Sequence, residues 1–257
     1  VYNVAVGFDA GLSITTGKFN NLFGALAGDA LTTGDSNTAI GYVSLSSDTK
    51  GERAVAVGEG ALFTQNFTSE TNNYNTAVGY NAGYAVTTGV QNTLIGGLAG
   101  DALEDADANV AIGYQALTTD TLGSRSVAVG FSALRFQANT SAVETYNVAV
   151  GHAAGEAVTT GVFNTFAGGL VADALTEGGE NAAFGYKALT TDTKGSHSVA
   201  VGPYALQTQN FTSATDSFNT AVGYNAGGAV TTGTNNTFVG GLAGDALQDA
   251  DFNVGMG

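Results

Sequence analysis

Residues 75–89 read NTAVGYNAGYAVTTG. The same phrase stands at 3–17 as NVAVGFDAGLSITTG, at 147–161 as NVAVGHAAGEAVTTG and at 219–233 as NTAVGYNAGGAVTTG. Four near-copies at a spacing of 72 residues mark a repeat architecture, and repeats decide a fold before any single segment does. Inside that spacing lies a finer one. The glycines that close the apolar triplets are Gly7, Gly24, Gly41, Gly58, Gly79, Gly96, Gly113, Gly130, Gly151, Gly168, Gly185, Gly202, Gly223, Gly240 and Gly257. Their intervals run 17, 17, 17 and 21, and the pattern then starts again.

The register is strict. Four residues before the marker glycine stands Asn3, Asn20, Asn37, Asn75, Asn92, Asn109, Asn147, Asn164, Asn181, Asn219, Asn236 or Asn253. The exceptions, Ala54, Ser126 and Ser198, all precede the long interval. Three residues after the marker stands Ala, except at Ser44 and Val171. A short β-branched stretch ended by Gly reads as a strand. Seventeen residues are too few for a helical-hairpin repeat, which needs about 33. They suit one coil of a solenoid. The expected fold is all-β: a parallel β-solenoid of the β-roll or β-helix kind, residues 1–257 forming a single domain of about 15 rungs. At about 4.8 Å per rung, the expectation is a rod roughly 70 Å long.

Stacked coils place identical residues above one another. The Asn column is therefore expected to form an amide ladder. The marker Gly is expected to turn the backbone with a positive φ. The four rungs of a superrepeat differ. The first ends in TTG. The second puts a large residue, Leu22, Leu94, Phe166 or Phe238, where the others place Ala. The third carries GYQALTTDT (113–121), and the fourth runs into the long interval. In a strand, alternate residues face opposite sides. We expect the Val/Ile parity to line the coil interior and the Asn/Ala parity to point outward. Leu22, Leu94, Phe166 and Phe238 would then be chain–chain contacts. The alternative is that the Ala side is a narrow core, which requires very close packing.

The inserted loops, 64–74, 136–146 and 208–218, are expected on one side at intervals of about 19 Å. Loops on a rigid scaffold commonly carry recognition. Each holds an N-x-S/T sequon, so Asn66, Asn139 and Asn210 are candidate glycan or receptor positions, with an ordinary polar loop as the other reading.

Charge narrows the partners. The chain has 22 acidic and 7 basic residues, a net −15. That opposes nucleic-acid binding, which draws on a basic footprint. No apolar run approaches the ~20 residues of a membrane span. Without Cys there are no disulfides or thiolate sites. The two histidines, His152 and His197, sit on different rung types, so no catalytic residue, cofactor site or metal site is assigned. The acidic run at Asp101, Glu104, Asp105 and Asp107 lacks the spacing of calcium loops and reads better as a solvated edge. Thr pairs recur too sparsely for an ice-binding ladder.

The phrases SVAVGFSAL (126–134) and SVAVGPYAL (198–206) resemble the head repeats of trimeric autotransporter adhesins, parallel β-rolls with rungs shorter than 17. The phrases NTAVGYNAG (75–83) and TTGTNNTFVGGLAG (231–244) resemble repeats of tail-fibre-like proteins of phages and environmental bacteria. These resemblances imply trimerisation and attachment to a host surface. The sequence starts at Val1 and both ends fall in mid-pattern without a capping element, which would leave edge strands to template further pairing. The expectation is a non-enzymatic, extracellular or virion- or cell-surface fibre protein whose partner is itself. The alternative is an adhesin or tail-fibre segment that binds a cell-surface glycan through the inserted loops.

Overall fold

The computed structural model describes residues 2–257. The chain divides into two compact units, Val1–Ser126 with Asn139–Val143, and Val127–Ala138 with Glu144–Gly257. Each unit is a parallel β-solenoid with rungs of about 17 residues, built from three-residue strands and turns.

In the first unit the strands are Val4–Val6, Asn21–Phe23, Thr38–Ile40, Val55–Val57, Thr76–Val78, Thr93–Ile95 and Val110–Ile112. They pair in parallel, with Ala5, Leu22, Ala39, Ala56, Ala77, Leu94 and Ala111 in one column. In the second unit the corresponding column is Ala128, Ala149, Phe166, Ala183, Ala200, Ala221, Phe238 and Gly255. Partners are 17 residues apart, or 21 across the long interval, so the sequence period is the strand register. The backbone ladder continues through the turns. Gly11 N–H donates to the Ala27 carbonyl at 3.0 Å and Ser13 N–H to Asp29 at 3.0 Å.

The strands are short because the backbone reverses hand at fixed places. Each marker glycine has a strongly positive φ, as at Gly79 (φ 143) and Gly96 (φ 133). A Cβ at Gly79 would also collide with the Gly96 carbonyl of the next rung. Both conditions exclude any other residue there. Two and four residues later the chain is left-handed again, for example at Asn81 (φ 51) and Gly83 (φ 59), and once more five residues before the next marker, at Gln91 (φ 61). Four left-handed positions per rung turn the chain through a coil without a helix.

The interior face is the reverse of the sequence expectation. Apart from the first and last rungs, the Ala/Leu/Phe column and the Asn column are buried, and the Val/Ile/Thr positions that flank them face outward. Val150 is 42 % exposed, whereas Ala149 is 0 %. The coil is narrow, so most inward strand positions take Ala, and a Leu or Phe enters where a neighbouring turn holds Gly. Leu22, Leu94, Phe166 and Phe238 are therefore core residues at 0–1 % exposure and are not available as chain–chain contacts.

Size is balanced between rung types. The second rung places Leu or Phe on its strand, and the first and second rungs place Gly four residues after the marker, as at Gly83 and Gly100, with Ala172 the one exception. A Cβ at Gly83 would lie 2.6 Å from Leu94 Cδ1, and one at Gly100 2.8 Å from Leu94 Cδ2. The third and fourth rungs invert this. Ala111 and Ala128 stand on the strand, and Leu117 and Leu134 fill the turn position, fully buried. Leucine at φ 54 and 49 is strained by about 1–2 kcal/mol. Burying its side chain returns roughly 1.5–3 kcal/mol, enough to hold it there.

Candidate functional site

The Asn ladder exists, but it is internal and runs mainly from side chain to backbone. Asn75 Oδ1 accepts the Asn92 N–H at 2.9 Å, and Asn92 Oδ1 accepts the Asn109 N–H at 2.9 Å. Each Nδ2 except that of Asn253 donates to a carbonyl 14 residues on, as from Asn75 to Gly89 at 2.7 Å and from Asn92 to Ala106 at 2.8 Å. Bonds between amide side chains are the minority, as from Asn181 Nδ2 to Asn164 Oδ1 at 3.1 Å. A buried amide must satisfy its donors and acceptor within the protein, and this column does so for each rung.

The fourth rung breaks the column at Ala54, Ser126 and Ser198, and the long loop repairs it. Asn75 N–H donates instead to Asn73 Oδ1 at 2.9 Å, and Asn219 N–H to Ser217 Oγ at 3.3 Å. Gln65, Gln137 and Gln209 accept the Nδ2 of Asn75, Asn147 and Asn219 at 2.8, 2.9 and 2.8 Å. The loops are thus tied into the core rather than merely inserted. Part of each loop is strand, for Thr71–Asn72 pairs in parallel with Gly51–Glu52, and Thr215–Asp216 with Gly195–Ser196.

A buried carboxylate pins each loop. Asp48 Oδ1 accepts the N–H of Gly51 at 2.9 Å and of Phe67 at 3.1 Å, and Oδ2 accepts Gln65 Nε2 at 2.7 Å. Asp192 repeats this with Gly195, Phe211 and Gln209 at 3.0, 3.0 and 2.6 Å. Asp120 accepts Gly123 N–H and Asn139 N–H. Burial raises the Asp48 pKa above its ordinary value, against the lowering effect of the Gln65 side chain and the backbone N–H groups around it. Sequence reasoning passed over these residues. Their signal was an Asp at the same place in every third rung (SSDTKG, TTDTLG, TTDTKG).

The candidate loop positions do not behave alike. Asn66 is exposed, and its Oδ1 accepts the Thr49 hydroxyl at 3.0 Å. Asn210 is half-buried and takes Thr193 in the same way at 3.1 Å. Asn139 is 6 % exposed, and its Nδ2 points at Asp120 Oδ2, 3.4 Å away. It is turned inward and cannot present a glycan or meet a receptor, which corrects the expectation for that loop.

The acidic edge belongs to the first rung's Thr pair. Thr87 and Thr88 both donate to Asp105 Oδ1 at 2.6 Å, and Thr231 and Thr232 both donate to Asp249. The hydroxyls lower the Asp105 pKa. Among the described residues no group of three or more His, Cys, Asp or Glu side chains is placed to hold a metal ion. His152 stacks on Phe131 at 5.3 Å. His197 lies between Glu180 and Asp216, at 3.3 and 3.1 Å.

The outward strand face is the most continuous surface feature in each unit. It consists of Val, Ile, Thr, Ala and Phe, with Asn21 and Met256 at two positions, and no strand of the marker column presents a charged residue there. Exposed aromatics flank it. After the marker stand Phe8, Tyr42, Tyr80 and Tyr114 in the first unit, and Phe131, Tyr186 and Tyr224 in the second. Before the strand stand Tyr2, Phe19 and Tyr74, and in the second unit Tyr146, Phe163, Phe218 and Phe252. Tyr2 stacks on Phe19 at 5.5 Å, and Tyr146 on Phe163 at 5.8 Å.

Fold and surface together define the class: a repetitive all-β solenoid, of the kind that structural and fibrous proteins use. The parallel β-solenoid is consistent with adhesin heads and tail fibres without being specific to them. No family model, curated sequence or solved structure matches the chain. No helix among the described residues is long and apolar enough to cross a membrane.

Proposed function

We propose that the chain is a non-enzymatic structural protein of an extracellular fibre or surface appendage, and that it self-associates through the outward strand face. The observation that carries this is the absence of charge from that face on a chain of net −15. At about 3.3 Å per residue and 4.8 Å per rung, a three-residue strand offers about 50 Å². The seven rungs of the first unit offer about 350 Å² before the flanking aromatics are added. That is within the range of the largest apolar patch on a typical monomer, and such patches commonly mark interaction sites. A charge-free face has no ionic complement to ask of a foreign partner. A second copy of itself, with the same rung spacing, matches it column for column.

The exposed stretch Thr68–Glu70, held by the buried Asp48 anchor, favours a second reading, in which the loops recognise a cell-surface glycan. One experiment separates the two. Val57→Lys with Val78→Lys places charge on the face and leaves the loops intact. Sedimentation over a range of concentrations is expected to show assembly of the parent chain and loss of assembly in the variant, at nearly unchanged Tm. A parent that stays monomeric at every concentration, yet binds cells as well as the variant does, would replace the fibre reading with the adhesin one.

A further inference from the structure

Between the third rung of one superrepeat and the first rung of the next, the first unit has an open cleft of about 430 Å³. Its walls are Tyr42, Glu59, Phe63, Tyr80, Asn81 and Tyr84. Tyr42, Glu59 and Tyr80 occupy the same position on three successive rungs, each directly after its marker glycine. Phe63 and Tyr84 lie parallel, with centroids 5.0 Å apart and 11° between planes. Gly60 makes room for the Asn81 amide: a Cβ there would lie 2.2 Å from the Asn81 side-chain oxygen.

We infer that this cleft binds an organic cation with a methylated ammonium head. Three observations converge. The first is shape. Tyr42 and Tyr80 are two rungs apart, about 9.6 Å at the strand spacing. A cation at the level of the intervening Glu59 rung is one rung, about 4.8 Å, from the level of each tyrosine, which leaves a ring turned toward it within reach of a cation–π contact. A sugar ring sandwiched between aromatic faces wants a narrower gap. The second is polarity. The Glu59 carboxylate, the Asn81 amide and the hydroxyls of Tyr42, Tyr80 and Tyr84 make no side-chain hydrogen bond or ion pair among the described residues, and no basic residue lines the cleft. Four rings and one unpaired acid, in a chain of net −15, select a positive guest that has little need of donors.

The third is comparison within the chain. The second superrepeat has Phe131, Arg135 and Glu156 in place of Glu59, Phe63 and Tyr84, and Arg135 pairs with Glu156 at 3.5 Å. There the equivalent position carries a cation of the protein's own. The third superrepeat has Pro203, Gln207 and Gly228, and Gln207 Nε2 donates to Asn225 Oδ1 at 3.2 Å. Only the first copy combines the free acid with four rings. The inference does not rest on self-association, because the cleft lies beside the strand face and needs no second chain.

The test is titration of the full chain with choline chloride, followed by calorimetry and by tyrosine emission, which no Trp obscures. Its neutral isostere, 3,3-dimethylbutan-1-ol, is titrated in parallel. Choline is expected to bind saturably and about tenfold more tightly than the isostere. Tyr80→Ala should abolish binding, and Glu59→Gln should weaken it several-fold. Both side chains are exposed, so the melting curves of these variants should overlay the parent's. Phosphocholine distinguishes the source. Equal binding assigns the head group of a choline-bearing surface, and rejection of its phosphate assigns a free small cation. Equal affinity for the isostere, preference for a methyl glucoside, indifference to both substitutions or no saturable signal would each overturn the inference.

Discussion

At the residue scale, the most informative positions are the three buried aspartates. A carboxylate without a cationic partner is costly to bury, and Asp48 bears that cost because three donors converge on it. Its consequence for pH follows from the raised pKa. When the folded value lies above the unfolded one, the folded state holds the proton more tightly. The stabilisation is complete below the ordinary value of 3.8 and is lost as pH rises through the folded value. Asp105 has the opposite sign. Its pKa is lowered by the Thr87 and Thr88 hydroxyls, so its contribution is present above 3.8 and fades as pH falls. Asp48→Asn is therefore expected to flatten the decline in stability as pH rises above 3.8. Denaturant midpoints at several pH values would show it, and a variant whose pH profile matches the parent's would refute it.

At the element scale, each rung is defined by what its neighbours leave room for. Leu94 fills the space over Gly83 and Gly100, whereas Leu62 stands in the turn position of its own rung above Ala56. Leu94→Ala should cost about 3 kcal/mol, the ordinary range for an emptied core leucine. Adding Gly83→Leu should recover a substantial part, since the pair then copies the fourth rung, where Leu62 tolerates φ 50. Equilibrium unfolding of the two single variants and the double variant forms the cycle, and simple addition of two losses would contradict the size balance. Much of this element logic was legible in the sequence. The period gave the strand register to the residue, and the marker glycines gave the turns. The facing of the strands was not legible. Alternation says that two parities differ, but not which one is inside. Val and Ile look like core and Asn looks like surface, until the inward strand positions are given to Ala and the amide finds its partners within the coil. The Ala column held the answer, since a residue chosen for smallness in rung after rung is choosing for space. The long loops misled for a related reason: their sequons suggested display, while Gln65 and Asn73 turn inward to complete the ladder and Asn139 turns inward to meet Asp120.

At the scale of the whole molecule, charge and apolarity are segregated. The 22 acidic residues lie off the outward strand face, so in the proposed self-association like charges would repel between copies while the face would attract. Raising ionic strength should relieve the repulsion without touching the apolar contact. Assembly is therefore expected to strengthen from about 50 mM to 500 mM salt, and again as pH approaches the pI of 4.1. Light scattering across that grid reads the trend. Dissociation by salt would point to an ionic interface and away from the strand face.

The alternation of Gly and Leu in the core also bears on inheritance. Two genes of this design that recombine out of step by one rung would set leucine against leucine, or glycine against alanine, and the product would be overfilled or hollow at the junction. An exchange displaced by a full set of four rungs meets the same partners it left. Such a gene can gain or lose length, but only in whole quartets, and the packing inside the coil acts as the proofreader of its own duplication.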